Sequence, residues 1–185
     1  MIETRFHGRG GQGAVTSAEL LALAAIQEGK FAQAFPSFGP ERRGAPVLAF
    51  SRVAEEQIRL RSQIYDPDVV LVLDSSLLDI LDVTDGLKGG GTLVVNSNQP
   101  IKELASRFHF EGTLWAVDAT HLAREILGRP ITNTTMLGAL LRATGIVDIE
   151  SMSEPLRHRF GLIAAKNETA LRAAYEQVEK EEIKP

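Results

Sequence analysis

The chain has 185 residues, 44% of them hydrophobic and 24% charged, with a formal net charge of -4 and no cysteine. That length fits one large domain with a sizeable core, and the composition is ordinary for a soluble globular protein. The charge balance gives no basic footprint for nucleic acid, the missing cysteine excludes disulfides and thiolate ligands for an iron–sulfur cluster, and no apolar run reaches the ~20 residues of a membrane span.

In chain order, Ile2–His7 alternates apolar Ile2, Thr4 and Phe6 with Glu3 and Arg5, which predicts a short strand. The opening Met1–Phe6 lacks the apolar core of a secretory signal, so the cytoplasm is expected. A helix is predicted over Ala14–Glu28, stopped by Gly29, with apolar residues on more than one face. Phe31–Phe35 reads as a second strand. Val47–Val53 and Gln57–Leu60 read as an antiparallel pair around Ala54-Glu55-Glu56. The run Val69–Leu73 fits a strand buried on both faces, followed by a short helix over Ser76–Leu81. Gly89-Gly90-Gly91 leads into a buried strand at Thr92–Val95, and Leu114–Val117 is a further strand before a helix over Thr120–Leu127. From Pro130 the pattern is helical, with a stripe of Met136, Leu137, Leu140 and Leu141, a short helix at Pro155–Phe160, and a last helix carrying Leu171, Ala174, Tyr175 and Val178. The order of elements predicts a three-layer α/β/α architecture with a mixed sheet, one domain over residues 1–185, its helices from about 130 packed on the same core.

Strand, then Gly8-x-Gly10-x-x-Gly13, then helix is the context of the dinucleotide fingerprint, in which glycines allow a tight turn and close approach of a pyrophosphate to helix N-terminal amides. The acidic residue that should end the second strand and bind ribose hydroxyls is missing, because that strand ends at Ala34-Phe35-Pro36. The glycines alone leave a site-forming loop and a packing turn equally open. The Gly11-Gln12 pair favours an exposed polar loop, with the glutamine amide turned outward.

A second segment, Phe35–Pro46, holds three prolines, two glycines and two phenylalanines around Glu41-Arg42-Arg43. The prolines stiffen it, and Phe35 and Phe38 require cover from the core or from a partner. Arg42 and Arg43 offer forked donors for carboxylate or phosphate; the plainer reading is a surface ion pair with Glu41 worth ~0–1 kcal/mol. Asp74 and Asn96-Ser97-Asn98 would share the carboxyl edge of the sheet with the glycine loop, where open α/β folds bind ligands, although Asp74 also suits a helix cap. Asn133 opens the Met136 helix and is more simply a cap than a ligand contact. The histidines His7, His109, His121 and His158 lack metal-ligand spacing.

The GRGGQG loop, the FPSFGPERRGAPV segment, the IRLRSQIYDPDVVLVLDSSLL stretch and the NTTMLGAL helix, in this order and spacing, resemble the γ subunit of 2-oxoacid:ferredoxin oxidoreductases, most closely the pyruvate:ferredoxin member. The resemblance covers nearly the whole chain and implies a Rossmann-like domain with a mixed, mostly parallel sheet. It also implies partner α, β and δ subunits and ferredoxin as the electron acceptor of the complex. The complex would use thiamine diphosphate, Mg2+, iron–sulfur clusters and coenzyme A to convert pyruvate to acetyl-CoA, with none of these groups bound by this chain alone. The intact PERRGAPV implies pyruvate or a branched-chain 2-oxoacid. A thiamine motif is absent: Thr84-Asp85-Gly86 lacks the first glycine of GDG, and Asn96 follows too soon.

No catalytic residue or metal ligand is expected. The residues expected on the coenzyme A side or active-site wall are Gly8, Gly10, Gly11, Gln12, Gly13, Arg42, Arg43 and Asn133. Three rivals stand beside this reading: a branched-chain 2-oxoacid version of the same complex, a nucleotide-binding dehydrogenase domain, and a scaffold without ligand contact.

Overall fold

Two apolar runs, Val69–Val72 and Gly91–Asn96, form adjacent parallel strands at the centre of the fold, with Val70, Leu71, Val94 and Val95 fully buried. The structure, a computed structural model, describes residues 1–37 and 44–184. Around that centre the chain runs β1 (Ile2–Arg9), α1 (Ala14–Gln27), β2 (Phe31–Pro36), β3 (Pro46–Ala54), β4 (Val69–Val72), a 3-10 turn (Ser75–Asp79), β5 (Gly91–Asn96), α2 (Ile101–Ala105), β6 (Gly112–Val117), α3 (Ala119–Leu127) and α4 (Asn133–Thr144). A 3-10 turn (Ile149–Met152), α5 (Ser153–Phe160), a further 3-10 turn (Gly161–Ile163), α6 (Ala164–Gln177) and β7 (Glu179–Ile183) complete it.

Among the described residues the sheet has seven strands in the order β2-β3-β1-β4-β5-β6-β7. β1, β4, β5 and β6 are parallel neighbours, while β3 is antiparallel to both β1 and β2, and β7 is antiparallel to β6. β2 therefore points the same way as β1, and only β3 and β7 oppose the common direction. This is the mixed, mostly parallel α/β sheet expected.

Alternation along the strands divides the core between two faces. Phe6, Leu71 and Val94 join Leu20, Leu21, Met136, Leu140 and Leu171 under the helices α1, α4 and α6. Val70, Val72, Leu93, Val95 and Leu114 lie on the other face beneath Leu77, Val83 and Leu104. The helical layer is thick because α4 is enclosed on all sides, with every residue from Asn133 to Leu141 buried rather than one stripe. α4 comes so close to α6 at Gly138 that a Cβ there would run into the Leu171 backbone carbonyl.

One expectation is corrected. Gln57–Leu60 forms no strand, because β3 is already hydrogen-bonded to β1 on one side and β2 on the other and has no free edge. The segment is instead tied down irregularly, Gln33 Nε2 donating to the Ile58 carbonyl and Arg52 Nη2 to that of Ser62. The predicted strand β1 is buried on both faces: Arg5 and His7 are buried along with Phe6, Arg5 under the 82–86 loop. There Arg5 Nη2 donates to the Val83 and Asp85 carbonyls, and Arg5 Nε donates to His7 Nε2 at 3.0 Å.

Candidate functional site

At the carboxyl end of β1 the chain makes its glycine turn against the strand that returns from the second loop. Gly10 N donates to the Ala45 carbonyl at 2.9 Å and Gly44 N to the Gly10 carbonyl at 3.3 Å, carrying the β1–β3 pairing one step past Arg9 and Pro46. The two segments singled out by sequence are therefore neighbours at their bases.

The polar side chains of the glycine loop turn inward. Gln12 Oε1 accepts from Arg9 N at 2.7 Å, and Gln12 Nε2 donates to Asp74 Oδ2 at 2.7 Å. The Arg9 guanidinium lies 3.3 Å from Asp74 Oδ2, donates to Ser76 Oγ at 2.7 Å, and reaches the Gly44 carbonyl at 3.1 Å. Asp74 also accepts from Ser76 N and Oγ, which caps the 3-10 turn after β4. Burial alone would raise the Asp74 pKa. The donors on Ser76 and Gln12 and the Arg9 charge outweigh it and hold the carboxylate below its usual range, ionised but neutralised. The expectation that Gln12 faces outward is thus corrected: a carboxylate and a backbone amide beside it use both ends of its side chain.

Gly13 adopts φ 84 and ψ 29 at the start of α1, a left-handed conformation natural to glycine. Asn133 covers it, its Nδ2 lying 2.7 Å from where a Cβ on residue 13 would stand. The Ser17 hydroxyl bridges the Gly13 and Asn133 carbonyls. Asn133 does not cap α4, whose N-cap is Thr132 without a side-chain bond, and its Oδ1 is buried without a hydrogen-bond partner among the described residues. Among the described residues no side chain caps α1 and no acidic residue occupies its first turn, so its leading amides meet neither.

Beside the loop, the carboxyl ends of β4, β5 and β6 open into a cleft of about 490 Å³ lined in part by Gln12, Asp74, Ser97, Asn98 and Arg124. Asp74 and Asn96–Asn98 share this edge with the glycine loop, as parallel strands require. Asn96 itself is committed to structure, its amide donating to the Leu73 carbonyl and Thr120 Oγ1. Among the described residues, no group of three or more His, Asp or Glu is placed to hold a metal, and no helix is long and apolar enough to cross a membrane.

Of the expected site residues, Gly8, Gly10, Gly11, Gln12, Gly13 and Asn133 form one neighbourhood. Arg42, Arg43 and Phe38 lie outside the described residues. Phe35 is covered within the chain, its ring stacked 5.4 Å from that of Phe50 with the Arg52 guanidinium 5.3 Å from its centroid. Sequence reasoning missed Arg9. It stands inside the motif, yet its side-chain partners Gly44 and Ser76 are 35 and 67 residues away, and no local spacing signals them. The dinucleotide comparison also loses its geometry, since antiparallel β3 separates β2 from β1 and moves the end of β2 away from the glycines.

Residues 3–177 match the pyruvate ferredoxin/flavodoxin oxidoreductase family. The chain belongs to that family. It is 55% identical over 185 residues to the pyruvate/ketoisovalerate oxidoreductases common subunit gamma of Pyrococcus furiosus, covering 99% of this chain and 100% of that one. It is 51% identical over 181 residues to the pyruvate synthase subunit PorC of Methanothermobacter thermautotrophicus, covering 97% of each. The crystal structure of pyruvate oxidoreductase subunit PORC from Thermotoga maritima superposes with a TM-score of 0.87 at 39% identity, covering 98% of both chains. Within the family this chain is a γ subunit of a 2-oxoacid:ferredoxin oxidoreductase.

Proposed function

We propose that the complex containing this chain oxidatively decarboxylates pyruvate with coenzyme A to acetyl-CoA and passes the electrons to ferredoxin. The observation that carries this reading is the full-length similarity to γ subunits named for pyruvate. The chain would work in the cytoplasm as one domain assembled with α, β and δ subunits. Thiamine diphosphate with Mg2+ and the iron–sulfur clusters, supplied by partner chains, would carry the decarboxylation and electron removal; a chain without cysteine has no thiolates for clusters.

This chain's own part would be a wall on the coenzyme A side, built from Gly8, Gly10, Gly11, Gln12, Gly13 and Asn133, with Arg42 and Arg43 from the second loop. The residues present suit a phosphate-bearing ligand. The first turn of α1 has no acidic side chain or side-chain cap, and the nearby Asp74 carboxylate is neutralised by Arg9. Backbone amides at the start of α1 would orient the anion, while Gln12 and Asn133 shape the loop from behind.

A second reading has its own support: relatives at 53–56% identity are named as common to pyruvate and ketoisovalerate enzymes. On that reading the same γ subunit also serves a branched-chain 2-oxoacid complex. Purification of the chain with its partners, followed by ferredoxin reduction with pyruvate or ketoisovalerate at varied coenzyme A, tests both. Coenzyme A-dependent turnover of pyruvate is expected, and turnover of ketoisovalerate alone would overturn the first reading.

A further inference from the structure

Resting on the coenzyme A reading of the glycine loop, we infer that Arg9 is a positioning residue: it locks the glycine loop to the base of the second loop and cancels the charge of Asp74 beside them. The guanidinium reaches three residues distant in sequence. Nη1 donates to the Gly44 carbonyl, Nη2 to Ser76 Oγ, and Nε lies 3.3 Å from Asp74 Oδ2. A planar fork with fixed donor directions can hold three acceptors at once, which a lysine ammonium on a flexible stem cannot do in the same geometry. Gln12 completes the lock by bridging Arg9 N and Asp74 Oδ2, so the loop backbone is fixed from its own side chains.

The charge matters as much as the geometry. Asp74 follows β4 next to the glycine turn, where an unpaired carboxylate would repel any phosphate approaching the loop. Among the described residues Asp74 accepts from three donors, Ser76 N, Ser76 Oγ and Gln12 Nε2, and pairs with the Arg9 guanidinium, whose Nε donates to Ser76 Oγ and lies 3.3 Å from Asp74 Oδ2. Of these partners Arg9 brings the full positive charge. The arrangement lets Asp74 cap its turn without spoiling the anion site.

The test is made in the purified complex with Arg9→Gln and with Arg9→Gln combined with Asp74→Asn, read by amide hydrogen exchange and by steady-state kinetics. In Arg9→Gln, exchange is expected to accelerate in peptides spanning residues 8–13 and 44–48 while peptides of β5 stay protected, which separates loop release from misfolding. The apparent KM for coenzyme A is expected to rise on the order of tenfold, as for loss of charge-assisted contacts, with the KM for the 2-oxoacid unchanged. Removing the Asp74 charge as well is expected to recover part of the coenzyme A affinity, a coupling that two independent structural lesions would not show. Unchanged exchange in both loops, or a KM for coenzyme A that rises in the single variant and is not lowered in the double one, overturns the inference. If exchange accelerates in both loops while the KM for coenzyme A stays at the wild-type value in both variants, Arg9 still holds the loops and it is the coenzyme A reading that falls.

Discussion

Asn133, the first residue of α4, closes directly over Gly13, the last residue of the glycine loop, with no room between them for a methyl group. Two demands meet at Gly13, a left-handed backbone and this contact. Gly11 has a comparable φ of 93 but open space where a Cβ would project. Gly11→Ala should therefore cost only the backbone component, roughly 1–2 kcal/mol, and Gly13→Ala should cost more by a further ~1–3 kcal/mol for overpacking. Urea denaturation of the two variants checks the order. Equal losses would mean that Asn133 yields without cost.

Protonation of His7 provides a pH test. Burial and then the adjacent Arg5 charge push its pKa down to about 3, against ~6.5 in an unfolded chain. Between those values the unfolded state binds a proton that the folded state refuses. The stability contributed by neutral His7 is complete above pH ~6.5 and declines as pH falls toward 3, at up to ~1.4 kcal/mol per unit. From pH 7 to 5 the wild type should lose about 2 kcal/mol more than His7→Gln, measured by denaturant unfolding at both pH values. Parallel losses would contradict a buried, neutral His7.

Glu3 and Arg52 face each other across β1 and β3, with Arg52 Nε donating to Glu3 Oε1 at 2.8 Å and Arg52 only 1% exposed. Removing one partner strands the other charge in the interior. Glu3→Ala should destabilise the chain by about 3 kcal/mol, whereas the double replacement Glu3→Leu, Arg52→Met should lose less. Thermal and urea unfolding would reveal the opposite order if the pair were merely a surface contact.

The central strands, the glycine turn and α1 can be read from the sequence because their signals are local: an unbroken apolar run at Val69–Val72, and glycines where a strand becomes a helix. β7 cannot, since Glu179-Lys180-Glu181-Glu182 reads as a solvated tail. As an edge strand paired, among the described residues, with β6 alone, it tolerates and exploits those charges. Gln57–Leu60 alternates like a strand, but a strand needs a free edge, and topology uses both edges of β3. In the site, residue types announce a glycine turn between a strand and a helix. The direction of Gln12, the cover of Asn133 over Gly13 and the reach of Arg9 depend on partners far along the chain, 35 residues away for Gly44 and 62 for Asp74, and emerge only in three dimensions.

The sheet order also bears on nucleotide binding. With β3 between β2 and β1, and Ala34-Phe35-Pro36 ending β2, no carboxylate from that strand reaches a ribose beside the glycine loop. Calorimetric titration of the chain with NAD and NADP should show no micromolar binding. Saturable binding in that range would return the dehydrogenase reading to contention.

The most direct measurement is amide hydrogen exchange of the intact complex with and without coenzyme A, followed in peptides of this chain. A coenzyme A wall built on the glycine loop predicts slower exchange in residues 8–13 when coenzyme A is added, with β7 at the far edge unaffected. Exchange in residues 8–13 that is identical with and without saturating coenzyme A would contradict it.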